Sequence, residues 1–205
     1  MNDTIRGILF DIGGVLVTLG GAPSLSKLLG IENSHEAVHV LWAASPAAVA
    51  YETGRMSATD FAAGVVADLN LPISPAAFLE DFRTWPGRVK SGAFELLDAI
   101  PQRYRVAALS NTNAVHWDRI TALGLAGRFE RTYLSHELGC LKPADEPFLL
   151  ALKDMALSPS EVVFLDDVAK NVDAARALGI RAHQARDPQE AWRVLEEYGV
   201  VSARA

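Results

Sequence analysis

The chain has 205 residues, of which 50% are hydrophobic and 21% are charged, and its formal net charge is −6. This length allows one domain, or a core domain with a modest insertion, and the apolar content excludes disordered and collagen-like proteins. A negative net charge without runs of Lys or Arg argues against nucleic-acid binding, because that function needs a clustered basic surface.

Signals for export and membrane insertion are also missing from the sequence. Cys140 is the single cysteine, so an internal disulfide is excluded, and no Cys/His pair has the spacing of zinc ligands. The first four residues carry no basic charge, and no apolar run approaches the roughly 18 residues of a membrane span. We therefore expect a soluble, cytoplasmic, globular protein that binds neither nucleic acid nor membrane.

Short apolar runs along the chain predict buried β-strands. They show no period-2 alternation, which is typical of strands covered on both faces of a parallel sheet. The runs cover residues 5–12, 105–109, 133–134, 161–165 and 180–184. Helical patterns separate them, with apolar residues at i, i+4 and i+7 in Phe148, Leu152 and Met155 and again in Val168, Val172 and Ala175. The alternation predicts an α/β fold with a doubly wound, Rossmann-like parallel sheet, whose ligands bind beyond the carboxyl ends of the strands.

One long segment after the first strand breaks this alternation. It contains three helical patterns, at residues 36–44, 59–69 and 76–85, without a strand pattern between them. Phe61, Val65 and Leu69 form an apolar stripe at helical spacing. We therefore expect a small helical cap over residues 18–86, inserted into an α/β core of residues 1–17 and 87–205, where it would lie over the strand ends.

Asp11 stands where the first apolar run ends. A carboxylate at the end of a buried strand is costly unless a partner satisfies its charge. A divalent cation would do so, and a carboxylate in that place can also attack phosphorus. The alternative is an ordinary turn, because Asp-Ile-Gly-Gly (residues 11–14) is common loop chemistry.

Two further stretches have the composition of an anion site. Ser110 and Asn111 follow the second run, where a hydroxyl and outward-pointing backbone N–H groups at a helix start can bind an anion. Lys142, just before Pro143, could neutralise a phosphate oxygen or hold a carboxylate. The alternatives are a plain helix cap in the first stretch and a solvated surface lysine in the second.

Adjacent carboxylates end the fourth run, at Asp166 and Asp167. They would repel each other in an apolar setting without a cation, and Mg²⁺ prefers such oxygen ligands. The alternative is that they only cap the following helix, whose dipole favours acidic residues at its start.

These four stretches resemble, in order, the motifs of the haloacid dehalogenase-like hydrolases, and the resemblance covers essentially the whole chain. Residues 10–16 resemble the first motif, residues 109–113 the second, Lys142-Pro143 the third and residues 164–167 the fourth. The second and third are most similar to a bacterial subgroup of small phosphatases that includes α-glucose-1-phosphate phosphatases. The resemblance implies hydrolysis of a small phosphomonoester, with a sugar phosphate as the leading substrate class.

The resemblance also implies roles for individual residues. Asp11 would attack phosphorus and form an aspartyl-phosphate that water hydrolyses. Mg²⁺ would be held by Asp11, the backbone carbonyl of Gly13 and Asp167, with Asp166 and Asn171 supporting the metal ligands. Ser110, Asn111 and Lys142 would hold the oxygens of the transferring phosphoryl group. These roles suit phosphoryl transfer, in which positioning and charge neutralisation supply most of the catalysis.

Gly13 departs from the phosphatase pattern, which usually has a second Asp at this position as general acid and base. General acid–base help is worth about 10²–10⁴-fold, so poor leaving groups should suffer. Gly13 therefore leaves open a catalytically weak scaffold that binds a phospho-ligand or a protein partner. A 2-haloacid dehalogenase also lacks the second Asp. Such dehalogenases, however, use an arginine of the cap to hold the carboxylate and halide of the substrate. No arginine occurs between Arg6 and Arg55, which argues against this alternative.

The cap itself offers four candidate substrate contacts, Trp42, Tyr51, Glu52 and Arg55. For the aromatic residues among them, the alternative is packing between the helices of the cap.

Overall fold

A computed structural model describes residues 4–31 and 35–203, apart from the side chains of three residues at 35, 36 and 39. Its main sheet has five parallel strands in the order β5-β4-β1-β6-β7, and β2 and β3 form a separate antiparallel pair. The strands are β1 (Gly7–Phe10), β2 (Val17–Leu19), β3 (Pro86–Val89), β4 (Arg105–Ser110), β5 (Arg131–Leu134), β6 (Val162–Asp166) and β7 (Arg181–Gln184).

The helices of the described residues lie between these strands and after the last of them. In chain order they are α1 (Gly21–Leu29), α2 (His35–Ala44), α3 (Pro46–Glu52), α4 (Ala58–Asp68), α5 (Pro75–Arg83), α6 (Ala93–Ala99), α7 (Ala114–Ala122), α8 (Ser135–Leu138), α9 (Asp145–Met155), α10 (Ala169–Ala177) and α11 (Pro188–Glu197). None of them is long and apolar enough to cross a membrane.

The central strand β1 is buried on both faces, which confirms the predicted parallel sheet. Its side chains alternate between two apolar clusters, with Ile8 and Phe10 in one and Leu9 in the other. The neighbouring β6 divides in the same way, with Leu165 on the Phe10 side and Phe164 on the Leu9 side. Helices covering both faces bury these side chains, and their apolar surface is the main stabilising contribution of the core.

All five predicted runs are strands of the main sheet, so the predicted fold class is confirmed. One predicted inward position is wrong. Val168 is 37% exposed, because it is the residue that precedes α10 rather than part of its buried face. Val172 and Ala175 of the same pattern are buried, as are Phe148, Leu152 and Met155. The antiparallel pair and helices α1 and α3 carried no pattern that predicted them.

Helices α1–α5 form the helical cap, which lies between β2 and β3 in the chain and has an apolar cluster of its own. Phe61, Phe78 and Phe82 are fully buried there. The ring of Phe61 stacks on that of Tyr51 at 4.2 Å between centroids and lies 4.7 Å from that of Phe82. Aromatic pairs at such distances add to the stabilisation that burial gives.

The antiparallel ribbon of β2 and β3 joins the cap to the core. Val17 pairs with Val89 and Leu19 pairs with Pro86. The hydroxyl of Thr18 accepts a hydrogen bond from the backbone N–H of Arg88 at 3.0 Å. We propose the division into a cap of residues 18–86 and a core of residues 1–17 and 87–205, with both boundaries inside this ribbon.

Candidate active site

Asp11 follows β1 directly, at the carboxyl edge of the sheet. Its backbone N–H donates to the carbonyl of Leu165 at 2.8 Å, so the end of β1 is held against the end of β6. Asp166, the last residue of β6, therefore lies beside Asp11, and Ser110 ends β4 on the other side of β1. The parallel topology thus brings together residues that are up to 155 positions apart in the chain.

Lys142 is the cation of this edge, and only 3% of its surface is exposed. Its Nζ donates to Asp11 Oδ1 at 2.9 Å, to Asp166 Oδ2 at 2.6 Å and to the carbonyl of Leu109 at 2.7 Å. These three bonds use all the donors of an ammonium group. Although burial lowers it, the two carboxylates raise the pKa of Lys142 above its usual value, so the residue is charged. A phosphate oxygen would have to share or replace one of these partners.

Asp166 is completely buried and its oxygens are occupied by protein groups. Besides Lys142, it accepts from the backbone N–H of Val168 at 2.8 Å and from Nδ2 of Asn171 at 3.0 and 3.1 Å. Asn171 thus contacts Asp166 and orients this carboxylate. Such an arrangement suits a residue that orients the groups of the site through hydrogen bonds.

Asp167 is half-buried and lies against the glycine loop that follows β1. Gly14 has a positive φ of 78°, and a Cβ there would overlap the Asp167 carboxylate. The loop therefore requires glycine both for its backbone conformation and for this close approach. From the other side, Gln184 Nε2 donates to the backbone carbonyl of Asp167 at 2.7 Å.

The carboxylates of Asp11, Asp166 and Asp167 each offer an oxygen within 4.8 Å of the others. Burial, together with repulsion from Asp166 and Asp167, raises the pKa of Asp11 to about 7, although Lys142 opposes the shift. Burial and Asp166 likewise raise the pKa of Asp167 to about 6. The single positive charge of Lys142 thus does not neutralise the three carboxylates. Their oxygen atoms fit a small divalent cation such as Mg²⁺.

The loop after β4 connects the expected anion site to Lys142. Ser110 is 5% exposed, at the end of the strand. Asn111 uses both ends of its side-chain amide, donating from Nδ2 to the carbonyl of Lys142 at 2.8 Å and accepting from its N–H at 2.9 Å. Its side chain therefore holds the Lys142 backbone in place, while Asn113 caps α7 by accepting from the N–H of His116.

Lys90 is a residue of the site that sequence reasoning missed. Its Nζ donates to the carbonyl of Gly14 and, at 2.7 Å, to the carbonyl of Arg186. It therefore joins the glycine loop, on which Asp167 lies, to the chain beyond β7. Nothing in the local sequence distinguishes this lysine from a solvated one.

The seam between cap and core was missed as well. His116 of α7 stacks on the ring of Phe82 of α5 at 4.0 Å, and its Nε2 bonds to the carbonyl of Phe82 at 2.8 Å. Its Nδ1 lies 3.2 Å from Asn113 Nδ2. Burial lowers the pKa of His116 to about 4, so the ring is neutral near pH 7. A histidine three residues into a helix gives no local signal of such a contact.

Comparison with known proteins identifies the family of this chain. A family model described as a haloacid dehalogenase-like hydrolase matches residues 5–179, and the chain belongs to this family. A curated relative, the D-ribitol-5-phosphate phosphatase of Bacteroides thetaiotaomicron, is 28% identical over 92% of this chain and 95% of its own length. The prediction of an enzyme of the phosphatase kind in this family agrees with both findings.

Solved structures of other proteins have a similar fold. A HAD family enzyme of Bacteroides thetaiotaomicron, solved as an aspartate-to-alanine mutant in complex with magnesium and inorganic phosphate, is 26% identical with a TM-score of 0.69, over 88% of this chain and 93% of that one. The L-2-haloacid dehalogenase of Xanthobacter autotrophicus is 18% identical with a TM-score of 0.63, over 98% and 85%. At that identity the likeness shows the fold alone.

Proposed function

We propose that the protein is a Mg²⁺-dependent phosphatase that cleaves a small phosphomonoester through an aspartyl-phosphate formed on Asp11. The observation that carries this proposal is the cluster of Asp11, Asp166 and Asp167 around the buried Lys142. A nucleophilic carboxylate, a fixed cation and a cation-binding pair of acids are the groups that phosphoryl transfer needs.

Asp11 would attack the phosphorus atom through a carboxylate oxygen, and the bond to the leaving oxygen would break. Ser110, backbone N–H groups at the start of α7 and Lys142 would hold the phosphoryl oxygens, with Asn111 keeping the Lys142 backbone in position. Water would then hydrolyse the aspartyl-phosphate and restore Asp11. The Lys142 side chain is already held at the strand ends, and it would share or exchange one of its partners with a phosphoryl oxygen.

Asp11, Asp167 and the backbone carbonyl of Gly13 would hold the Mg²⁺ ion, with Asp166 and Asn171 behind them. When bound, the ion supplies positive charge against the phosphoryl oxygens and neutralises the acidic cluster. Its fit rests on the carboxylate oxygens of Asp11, Asp166 and Asp167, which lie within 4.8 Å of one another.

The substrate class that we propose is a small sugar or polyol phosphate. The phosphatase named for D-ribitol 5-phosphate, which aligns with nearly the full chain, supports it. The dehalogenase alternative has less support for two reasons. Asp166 and Asp167 form an acidic site, which favours a cation over the carboxylate of a haloacid. The first arginine of the cap, Arg55, is already engaged, since it donates to the carbonyl of Gly139 at 3.1 Å.

The test is an assay with p-nitrophenyl phosphate in Mg²⁺ and in EDTA, on the wild type and on Asp11→Asn. We expect hydrolysis that requires Mg²⁺, and a loss on the order of 10⁴-fold or more in the variant, because its amide is not a nucleophile. Asp173→Asn, a change at a surface aspartate with 73% of its side chain exposed, is the matched control and should keep full activity.

Folding of the Asp11→Asn variant should be intact, because Lys142 keeps its bonds to Asp166 and Leu109. Undiminished hydrolysis by a folded variant would contradict the mechanism. A wild type that cleaves no phosphomonoester but binds inorganic phosphate would favour the scaffold alternative that Gly13 leaves open.

A further inference from the structure

Helix α7 starts at the loop proposed to bind the phosphoryl group, and it packs against both the core and the cap. Its Ile120 belongs to the apolar cluster of the core, whereas Val115 packs against the cluster of the cap. The hydroxyl of Tyr51 in α3 is hydrogen-bonded to the backbone of Val115. The start of this helix is therefore held from two sides, and the cap supplies one of them.

His116, in the first turn of α7, joins the helix to the cap by a hydrogen bond of defined direction. Its Nε2 lies 2.8 Å from the carbonyl oxygen of Phe82 in α5. A carbonyl can only accept, so Nε2 carries the ring proton and donates it. Burial lowers the pKa of His116 to about 4, so the ring is neutral near pH 7. In this neutral form the other ring nitrogen, Nδ1, is an acceptor.

Asn113 supplies the donor that Nδ1 requires. Its Oδ1 accepts from the backbone N–H of His116 at 3.0 Å, which is how this residue caps α7. The other end of the same amide, Nδ2, lies 3.2 Å from Nδ1 of His116 and donates to it. Asn113 is only 1% exposed, so losing either bond would leave a buried polar group without its partner. The imidazole thus links the carbonyl of Phe82 in the cap to the side chain of Asn113.

Asn113 ends the loop after β4, which supplies Ser110 and the backbone N–H groups proposed to bind phosphoryl oxygens. The middle of this loop is anchored to the core, because Thr112 forms two backbone hydrogen bonds with the hydroxyl of Ser135, at 2.9 and 2.8 Å. The end of the loop is anchored to the cap through His116. Backbone N–H groups stabilise an anion most when they are held in place before it arrives.

We propose that His116 is a positioning residue of the phosphate site. By holding Asn113 against the cap, it keeps the N–H groups at the start of α7 directed at the phosphoryl oxygens, and the affinity for phosphate depends on this contact. The imidazole acts through Asn113 and does not touch the substrate. Because such coupling is reciprocal, bound phosphate would in turn hold α7 to the cap. This role rests on the proposed phosphatase function.

The test is the dissociation constant of inorganic phosphate, measured by isothermal titration calorimetry with Mg²⁺ present, in the wild type and in His116→Phe. Phenylalanine keeps a ring that can stack on Phe82, as the imidazole does at 4.0 Å, but it loses both side-chain hydrogen bonds. We expect the dissociation constant to rise about 10-fold, since removing groups that orient a binding site typically has effects of that order.

Arg119→Met is the matched control. Arg119 also joins α7 to the cap, by donating to the carbonyl of Pro86, but it does so one turn further from the phosphate loop. This variant should loosen the same seam and keep the affinity for phosphate within about twofold. His116→Gln, whose amide can still donate to the carbonyl of Phe82, should recover part of the affinity. Thermal unfolding of each variant is measured alongside.

Asn113→Ser tests the other end of the link. Serine still caps the helix but has no N–H to donate to His116. It should weaken phosphate binding as His116→Phe does, and the double variant should bind no more weakly than either single variant, because both changes break the same connection.

A folded His116→Phe protein that binds phosphate within about twofold of the wild type, or no more weakly than Arg119→Met, would overturn the assignment and leave the phosphatase function intact. If His116→Phe does not fold, unchanged phosphate binding by Asn113→Ser would overturn it. A wild type that neither binds phosphate nor hydrolyses p-nitrophenyl phosphate would overturn the proposed function and this inference with it.

Discussion

The sheet side and the cap side of the proposed site are built in opposite ways. On the sheet side, Asp11, Lys142 and Asp166 are buried and tied to one another and to the backbone by bonds of 2.6–2.9 Å. On the cap side, aromatic rings pack around Phe61, and the cap and core are joined by hydrogen bonds such as those from Arg55 to the Gly139 carbonyl and between His116 and the Phe82 carbonyl. The proposed chemistry therefore depends on charges fixed at the strand ends, whereas the fold of the cap depends on aromatic packing.

Removing the cation of the sheet side should have the largest effect on stability. Lys142→Met leaves the carboxylates of Asp11 and Asp166 buried without a counter-charge. Breaking a buried ion pair in this way costs about 3–5 kcal/mol. The free energy of unfolding, measured by urea denaturation at pH 8 in EDTA, should fall by that amount, and added Mg²⁺ should recover part of it.

Lys153→Met, the same change at an exposed lysine of α9, should stay close to the wild type. A loss below about 1 kcal/mol for Lys142→Met would show that the sheet side does not depend on this ion pair, and the contrast with the cap would fail.

A smaller effect is expected at the seam, where His116 packs against the cap. Its pKa is about 4 in the folded protein, against 6.5 for the free side chain. Between these values the unfolded chain binds a proton that the folded protein does not, so the stabilising contribution present above pH 6.5 is lost as the pH falls toward 4. The loss amounts to about 3 kcal/mol.

The measurement compares the wild type with His116→Gln, whose amide can still donate to the Phe82 carbonyl. The difference between their free energies of unfolding should shrink by about 3 kcal/mol from pH 7 to pH 4. Other groups that titrate in this range cancel in the difference. A difference that does not change with pH would mean that the seam does not exclude water from the imidazole.

The smallest expected effect is on the affinity for Mg²⁺, and it concerns Lys90 and the glycine loop that follows β1. Lys90→Met removes the bonds to the carbonyls of Gly14 and Arg186, and so loosens the loop against which Asp167 lies. The Mg²⁺ concentration for half-maximal activity should rise about 10-fold, since groups behind metal ligands typically change affinity by that order. Lys90→Arg should restore most of the affinity. An unchanged Mg²⁺ requirement in Lys90→Met would remove this residue from the site.

How well the fold could be predicted depended on the burial of each element. Strands β1 and β6 are apolar on both faces, so an unbroken run of residues such as Val163 and Phe164 is sufficient to recognise them. The ribbon strands β2 and β3 have three and four residues, are only partly buried and include Pro86 and Gly87. Their pairing joins segments about 70 residues apart, which no local pattern records.

The sequence predicted which residues form the proposed site, but not how they contact one another. Asp11, Ser110, Lys142 and Asp167 were found because each stands next to the end of a strand or in a short motif. Their partnerships follow from tertiary contacts, so the sequence did not show that all three donors of Lys142 are engaged by protein oxygens. The same reason hid Lys90, and the roles of all these residues remain predictions.

The ribbon of β2 and β3 has a consequence for how such an enzyme can change. The chain leaves the core and returns to it at paired positions, Leu19 opposite Pro86, so the backbone of the cap is connected to the core at one place. Segments with adjacent ends are the ones that proteins exchange or lengthen most readily. We therefore expect that another cap could be grafted between Leu19 and Pro86, and that it would present a new surface to an unaltered nucleophile.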